Sequence, residues 1–312
     1  KYEGYFVNGE RDCKSGILIG KNFKYEGAWM KDKMNGHGKL TFYKDDKSIS
    51  SIYEGTFIND KMHGNGNDFI VYNTIESNKK LSKSKIQKLS NRNSGIGFDQ
   101  AIQIGLPKKD NIDFSIRFFN ADGGEASMCL NGIRCAASYV WQNNFAPKKS
   151  IIFKTKNREV TCQPLKNMVK VTSKMSSFIN DEALRKKLSK TINSKFDLVD
   201  SGNMHLCIKK SSIQKEDLNA VYKNLAKHIK PLGYNLSLYK ISGQNINIRT
   251  YENGVGETLS CGSAALAVAS ICIKDKCKVS SPGGEISFLK KNNDIIEMLG
   301  PTEYVYSGQI NG

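Results

Sequence analysis

The sequence predicts an α+β protein with two related lobes behind a run of β-hairpins, and three observations carry that prediction. Gly124-Glu125-Ala-Ser-Met-Cys129 recurs as Gly256-Glu257-Thr-Leu-Ser-Cys261, and each copy runs into an apolar stretch with helical spacing. Tyr-Glu-Gly recurs at Tyr2, Tyr25 and Tyr53, each time with an aromatic residue two places on. Between these landmarks lie short alternating segments bounded by glycine and asparagine, which read as strands.

Taken in order, the first 64 residues form the hairpin unit. Aromatic residues alternating with polar ones, followed by a Gly-x-Gly pair, spell a short hairpin. A single hairpin cannot bury its aromatic face, so several must stack. The texture changes at Lys61-Met-His-Gly-Asn-Gly-Asn-Asp-Phe, which overlaps the last repeat. One lobe is expected over 61–175, joined by the C-terminal strand 299–312, and a second over 176–298. In the first lobe a polar-faced helix is predicted over 79–93, a strand over 112–119, then the first Cys loop with its helix. Strands follow over 150–155, 158–163 and 168–172. The second lobe repeats the plan, with a helix over 215–228 and a strand over 245–251 entering the second Cys loop.

The chain has 312 residues, ample for more than one core, and its 39% hydrophobic and 25% charged content describes a globular protein. No apolar run approaches a membrane span, and Lys1-Tyr-Glu-Gly does not read as a signal peptide, so a cytoplasmic location is expected. The net charge of +17 comes from lysines scattered along the chain, so it reads as a solvated basic surface and no nucleic-acid partner is expected. Eight cysteines are too sparse for a disulfide scaffold and suit a reducing compartment. Cys272 and Cys277 have no second Cys or His pair beside them, and no metal is expected.

Placed at helix N-termini, Cys129 and Cys261 meet unpaired backbone N–H groups and the positive end of the helix dipole, which favour thiolate and would also hold a carboxylate. Two such sites facing each other would set one sulfur on each side of a carbon. That is the geometry for removing a proton from one face and returning one to the other. Two buried small hydrophobes, or a redox pair, are the competing readings. The duplicated context before a helix argues against the first, and the lack of Cys-x-x-Cys against the second.

Residues 1–64 resemble the MORN repeat, a family of stacked β-hairpins often linked to membrane association or scaffolding. A membrane or protein contact through this segment is therefore open. Residues 61–312 resemble the cofactor-independent diaminopimelate epimerase family. The resemblance rests on Met62-His-Gly-Asn-Gly-Asn-Asp-Phe, Gly97-Phe-Asp-Gln100, Phe119-Asn-Ala-Asp-Gly, Cys129-Leu-Asn-Gly, Gly202-Asn-Met-His205, Tyr251-Glu252 and Gly256-Glu-Thr-Leu-Ser-Cys261-Gly-Ser. It implies two lobes, each a mostly antiparallel curved sheet or barrel around a central helix. It also implies LL-/meso-diaminopimelate interconversion for lysine and peptidoglycan precursors, no cofactor, and a homodimer as one compatible assembly. By this resemblance Cys129 and Cys261 are the acid/base thiols, with His205 and Glu252 beside them. Asn67, Gln100, Asn120, Asn203 and Asn235 match substrate contacts, and Asn131, Gly132, Gly262 and Ser263 fall where backbone amides hold the reacting carboxylate.

Three departures bear on substrate. Asn253 stands where the family has an arginine for the distal carboxylate, with Arg249 the nearest substitute. Leu130 replaces a glycine beside the first thiol, and Met204 a proline. Racemisation of another amino acid such as histidine, or a binding protein with an inactive body, are the alternatives these departures leave.

Overall fold

The computed structural model of the protein describes residues 1–20, 23–30, 33–43, 49–57, 67–75, 80–92, 95–107, 109–147, 149–166, 168–302 and 307–309. The glycine turn expected at 61–66 lies outside them. Among the described residues there are five helices: α1 (Lys83–Ser90), α2 (Leu130–Gln142), α3 (Glu182–Leu188), α4 (Leu218–Ile229) and α5 (Gly262–Cys272). None is long and apolar enough to cross a membrane.

The repeats lie edge to edge in one antiparallel six-stranded sheet. Its strands are Tyr2–Glu3, Cys13–Ile19, Phe23–Met30, Lys33–Tyr43, Ile49–Phe57 and Ser307–Gln309, in that order. The side hairpin Phe6–Val7/Glu10–Arg11 turns on Asn8 (φ 51°) and Gly9 (φ 84°), the two left-handed residues that a two-residue hairpin loop requires. Aromatic residues pack edge to face between and within repeats, with Trp29 5.4 Å from Tyr2 of the preceding repeat and 5.2 Å from Tyr25 of its own, and the Arg11 guanidinium covers the Trp29 ring at 4.3 Å. Stacking of neighbours is thus what buries Tyr25 and Trp29.

The rest of the chain forms a 16-stranded sheet that curls around α2 and α5. Each half contains two parallel crossovers. In the first half α1 links Phe69–Asn73 to Gln100–Gly105, and α2 links Phe114–Asn120 to Ile151–Lys154. In the second, α4 links Met204–Lys209 to Asn235–Ser242, and α5 links Asn245–Glu252 to Lys276–Ser281. The duplicated Cys motif therefore marks a duplicated topology. Strand Ile295–Pro301 pairs with Met168–Lys174 on one side and Gly284–Lys290 on the other, so the sheet runs unbroken between the halves. The segment 299–312, expected beside the first lobe, divides. Its start completes this strand, and Ser307–Gln309 pairs with Thr56, Gly55 and Glu54 in the repeat sheet.

The central helix α5 differs from an ordinary surface helix in having no polar face. In α5 every residue from Gly262 to Ser270 is buried, and all but Leu266 and Val268 are Gly, Ala or Ser, which lets the sheet close around it. The helix expected over 79–93 is shorter, from Lys83 to Ser90, because Ser82 caps it by accepting from Lys85 N–H at 3.2 Å. The strand expected over 112–119 is Phe114–Asn120.

Candidate active site

Both cysteines occupy the N-cap position of a central helix, with extended backbone angles (Cys129 φ −141°, Cys261 φ −130°). The two helix starts touch. A Cβ built on Gly262 would lie 2.8 Å from Asn131 Oδ1, 2.9 Å from Leu130 Cβ and 3.0 Å from Asn131 N, so only glycine permits this approach. Ile133 and Ala265 are the first residues to donate back to Cys129 and Cys261 along each helix. The N–H groups of Leu130, Asn131, Gly262 and Ser263 therefore have no helical acceptor, while that of Gly132 donates to Cys129 Sγ at 3.3 Å.

The glutamates of the repeated motif act as braces. Arg117 Nε and Nη2 donate to Glu125 Oε1 and Oε2 at 2.9 and 2.8 Å, and Arg249 Nε and Nη2 to Glu257 Oε1 and Oε2 at 2.7 and 2.9 Å. Each pair pins the hairpin before its Cys loop to the preceding strand. Arg249 Nη1 is further held by the carbonyls of Ile213 and Glu216, at 2.7 and 2.8 Å. All three of its guanidinium nitrogens are thus engaged within the protein.

The polar residues form a second matched set across the pseudo-twofold. Asn131 Nδ2 donates to Asn67 Oδ1 at 2.7 Å and to Ser260 Oγ, the residue before the other thiol, at 3.3 Å. Asn203 Nδ2 donates to Ser263 Oγ at 3.2 Å and to the carbonyl of Met128, again the residue before the other thiol, at 3.0 Å. Gln100 and Asn235 begin equivalent strands. Gln100 Nε2 donates to Asn120 Oδ1 at 2.9 Å, and its Oε1 is buried without a partner. Asn235 Oδ1 accepts from Asn253 N–H at 2.9 Å.

Where the symmetry breaks, the chemistry differs. Asn120 is matched by Glu252, Phe69 by His205, and Arg134 by Leu266. Glu252 accepts from Thr258 Oγ1 at 2.8 Å, and burial pushes its carboxyl up, with Thr258 and Cys261 opposing and Asp99 adding to the rise. His205 is fully enclosed, its Nε2 3.0 Å from Ser263 Oγ, which in turn lies 3.4 Å from Cys261 Sγ. It reaches the thiol through Ser263.

The thiols are not the ready thiolates that the helix ends alone would give. Burial pushes Cys129 up to about 12, with the Gly132 N–H and Arg134 pulling down and Glu252 pushing up. Burial also lifts Cys261 well above the ordinary thiol range, with Glu252 reinforcing the rise. Desolvation by burial outweighs the dipole and the N–H groups. Cys129 also disfavours charge on Cys261.

The side chains of Leu130 and Asn253 are engaged in packing and in hydrogen bonds within the fold. Leu130 is 1% exposed and packs in the main core with its Cβ toward Gly262. Asn253 accepts from Tyr222 Oη and donates to the carbonyl of Lys230, both at 3.0 Å, which ties it to α4. Three further groups lie within or beside the quoted motifs without a role being assigned from sequence: Ser260, the Met128 carbonyl, and Asp99, which shares Arg92 with Asp68 at 2.7 and 2.6 Å and raises the Glu252 carboxyl.

His205 gives a pH prediction. Burial pushes its ring down to about 3, so the folded protein favours the neutral form. That contribution is complete above the unfolded value near 6.5 and is lost as the pH falls toward 3, by up to about 1.4 kcal/mol per pH unit. Urea midpoints of wild type should fall between pH 6.5 and 4 more steeply than those of His205→Phe, the residue of the matching position in the first half. Parallel curves would remove His205 from the acid limb.

Residues 60–178 match the family model for diaminopimelate epimerase, and residues 2–12 and 25–47 the model for the MORN repeat. A diaminopimelate epimerase of Buchnera aphidicola is 36% identical over 262 residues, covering 78% of this chain and 92% of that one. That of Coxiella burnetii is 34% identical over 268 residues, covering 78% and 95%. Among solved structures, a phenazine biosynthesis PhzC/PhzF protein from Clostridium difficile superposes with a TM-score of 0.56 at 16% identity, covering 83% of this chain and 99% of that one. A hydroxyproline epimerase from Agrobacterium vitis superposes with a TM-score of 0.56 at 10% identity, covering 82% and 93%, so these two speak for the fold. With a relative of 36% identity matched over nearly its whole length, the chain belongs to the diaminopimelate epimerase family.

Proposed function

We propose that the protein is a cofactor-independent isomerase that inverts the α-carbon of an amino acid, with diaminopimelate as its substrate and Cys129 and Cys261 as the acid and base. The observation that supports this is the contact between two helix starts, each with a cysteine at its N-cap position. The substrate's α-carboxylate sits on the N–H groups of Leu130, Asn131, Gly262 and Ser263, which have no helical acceptor. Its ammonium lies between Glu252 and the unpartnered Oε1 of Gln100, satisfying a buried acceptor that otherwise has none. One sulfur, as thiolate, takes the α-proton, and the other, as thiol, delivers its proton to the opposite face. The fixed N–H dipoles stabilise the charge that develops on the carboxylate.

The test is incubation in deuterated water without pyridoxal phosphate or metal, with deuterium at the α-carbon read by NMR. Diaminopimelate should exchange and invert, and absence of exchange with every amino acid tried would remove the reading. A second substrate class, monocarboxylic amino acids, is favoured by the commitment of Asn253 to α4 and of Arg249 to Glu257, which leaves neither for a distal carboxylate. Running histidine, lysine and alanine beside diaminopimelate separates the two, since a clear preference for diaminopimelate excludes the second.

Free thiols at all eight cysteines suit a reducing cytoplasm. At the first hairpin Tyr5, Phe6 and Val7 are 78%, 59% and 53% exposed beside Arg11, which suits contact with an anionic lipid surface. Co-sedimentation with anionic vesicles, lost in Tyr5→Ser/Phe6→Ser, would support it.

A further inference from the structure

The turn that closes the hairpin between Ile151–Lys154 and Glu159–Leu165 is fixed by its two end residues. Thr155 N–H and Oγ1 both donate to the Arg158 carbonyl, at 2.8 and 2.9 Å, and Thr155 Oγ1 accepts from Arg158 N–H at 2.9 Å. Thr155 is buried, so the base of the Arg158 side chain is held still. The guanidinium then reaches across the junction of the two halves. Nη1 donates to the Lys174 carbonyl at 3.1 Å, and Nη2 to the Asp200 carbonyl at 2.9 Å. Lys174 is the last residue of Met168–Lys174, where the chain passes to the second half, and Asp200 is the last of Phe196–Asp200.

Asp200 begins the loop Asp200-Ser-Gly-Asn-Met204, which contains no proline and has glycine at its centre, so its own chain restricts it little. Its order comes from its surroundings. Asp200 Oδ1 accepts from Gly202 N–H at 2.6 Å, Ser201 N–H donates to the Asn203 carbonyl at 3.0 Å, and Ser201 Oγ lies 2.7 Å from Ser176 Oγ. Gly202, at φ 96°, is flanked by Met128 and Arg158, since a Cβ on it would lie 3.0 Å from Met128 Cβ and 3.5 Å from Arg158 Nε. The next residue, Asn203, bonds both cysteine loops, through the Met128 carbonyl and Ser263 Oγ. The matching hairpin of the second half has Pro282 and Gly283 at its turn and gives one backbone donor, from Gly283 to the Leu259 carbonyl at 2.7 Å. The side-chain clamp thus belongs to one half only.

We propose that Arg158 is a positioning residue for the active site: by gripping the Lys174 and Asp200 carbonyls it holds the loop so that Asn203 spans the two cysteine loops. Two charge-assisted bonds from one planar fork fix both the distance and the angle between the junction and the loop, which a single-point donor would not. Without the fork, Asp200–Met204 samples other conformations, and the Asn203 carboxamide leaves Met128 and Ser263 together. Resting on the two-thiol reading above, the loss then appears in the chemical step.

The first readout needs no substrate. Amide hydrogen exchange of the full chain is followed by mass spectrometry in wild type, Arg158→Ala and Arg158→Lys. In Arg158→Ala, peptides spanning 200–204 exchange roughly tenfold faster or more, the range for losing hydrogen bonds from a charged donor, while peptides from α2 and α5 keep wild-type rates. Guanidinium ion at a non-denaturing concentration slows the loop again, and sodium ion does not. Arg158→Lys, with one donor point in place of a fork, falls between. Loop exchange at the wild-type rate in Arg158→Ala overturns the proposal. So does faster exchange spread equally over α2 and α5, which marks a general loss of stability. With the amino acid that wild type inverts, Arg158→Ala turns over roughly tenfold more slowly and guanidinium ion restores the rate. A wild-type rate despite a loosened loop overturns the positioning role. Absence of inversion in wild type would sink the epimerase reading and leave the exchange readout standing.

Discussion

Replacing either Cys129 or Cys261 with alanine lowers α-proton inversion by roughly a thousandfold or more, the range for loss of a positioned acid or base. The two losses should be of similar size, and the double variant should be scarcely worse than either single one. Each thiol needs the other to complete inversion, and residues that act as a unit do not add. Both side chains are partly accessible caps whose removal leaves no deep cavity, so melting temperatures should stay close to wild type. Inversion rates measured by circular dichroism, with unfolding followed on the same samples, check both statements. A variant retaining a tenth of wild-type inversion would take its cysteine out of the chemistry.

Gly262→Ala gives the second large effect, and its sign opposes helix propensity, which favours alanine over glycine by about 1 kcal/mol. The new methyl would meet Leu130 Cβ at 2.9 Å and Asn131 N at 3.0 Å, neither the free end of a flexible chain. The helix starts must separate, at a cost of about 1–3 kcal/mol for overpacking. Since the two sulfurs ride on those starts, the same displacement should cut kcat on the order of a hundredfold. Denaturant unfolding and kinetics on one preparation test it, and an alanine variant with unchanged stability and kcat would mean that the helix starts do not need this contact.

How much of this could be read beforehand depends on whether the signal is local. Gly-Glu-x-x-x-Cys before an apolar run is a contiguous pattern, and it correctly announces two helix caps and a duplicated topology. The braces were within reach too: Arg117 and Arg249 stand at the same distance before Glu125 and Glu257. Arg134 was not, because an arginine early in a helix reads as a solvent-facing residue until the sheet is seen to close over it. The ionisation of the thiols was hidden for the same reason. Helix-end effects are local, whereas the burial that overrides them comes from strands far away in sequence.

The pairing of Ser307–Gln309 with Thr56, Gly55 and Glu54 has a consequence for assembly. Synthesis delivers five described strands of the repeat sheet ahead of the epimerase body and Ser307–Gln309 after it. Until Ser307–Gln309 emerges, strand Ile49–Phe57 presents an open edge of unpaired N–H and C=O groups. The repeat sheet can begin to form early on its local hairpins, but this edge must wait for a contact that reaches across the whole epimerase body. The nascent protein is therefore most open to edge-to-edge association during that interval, and the last strand ends the exposure by covering the edge.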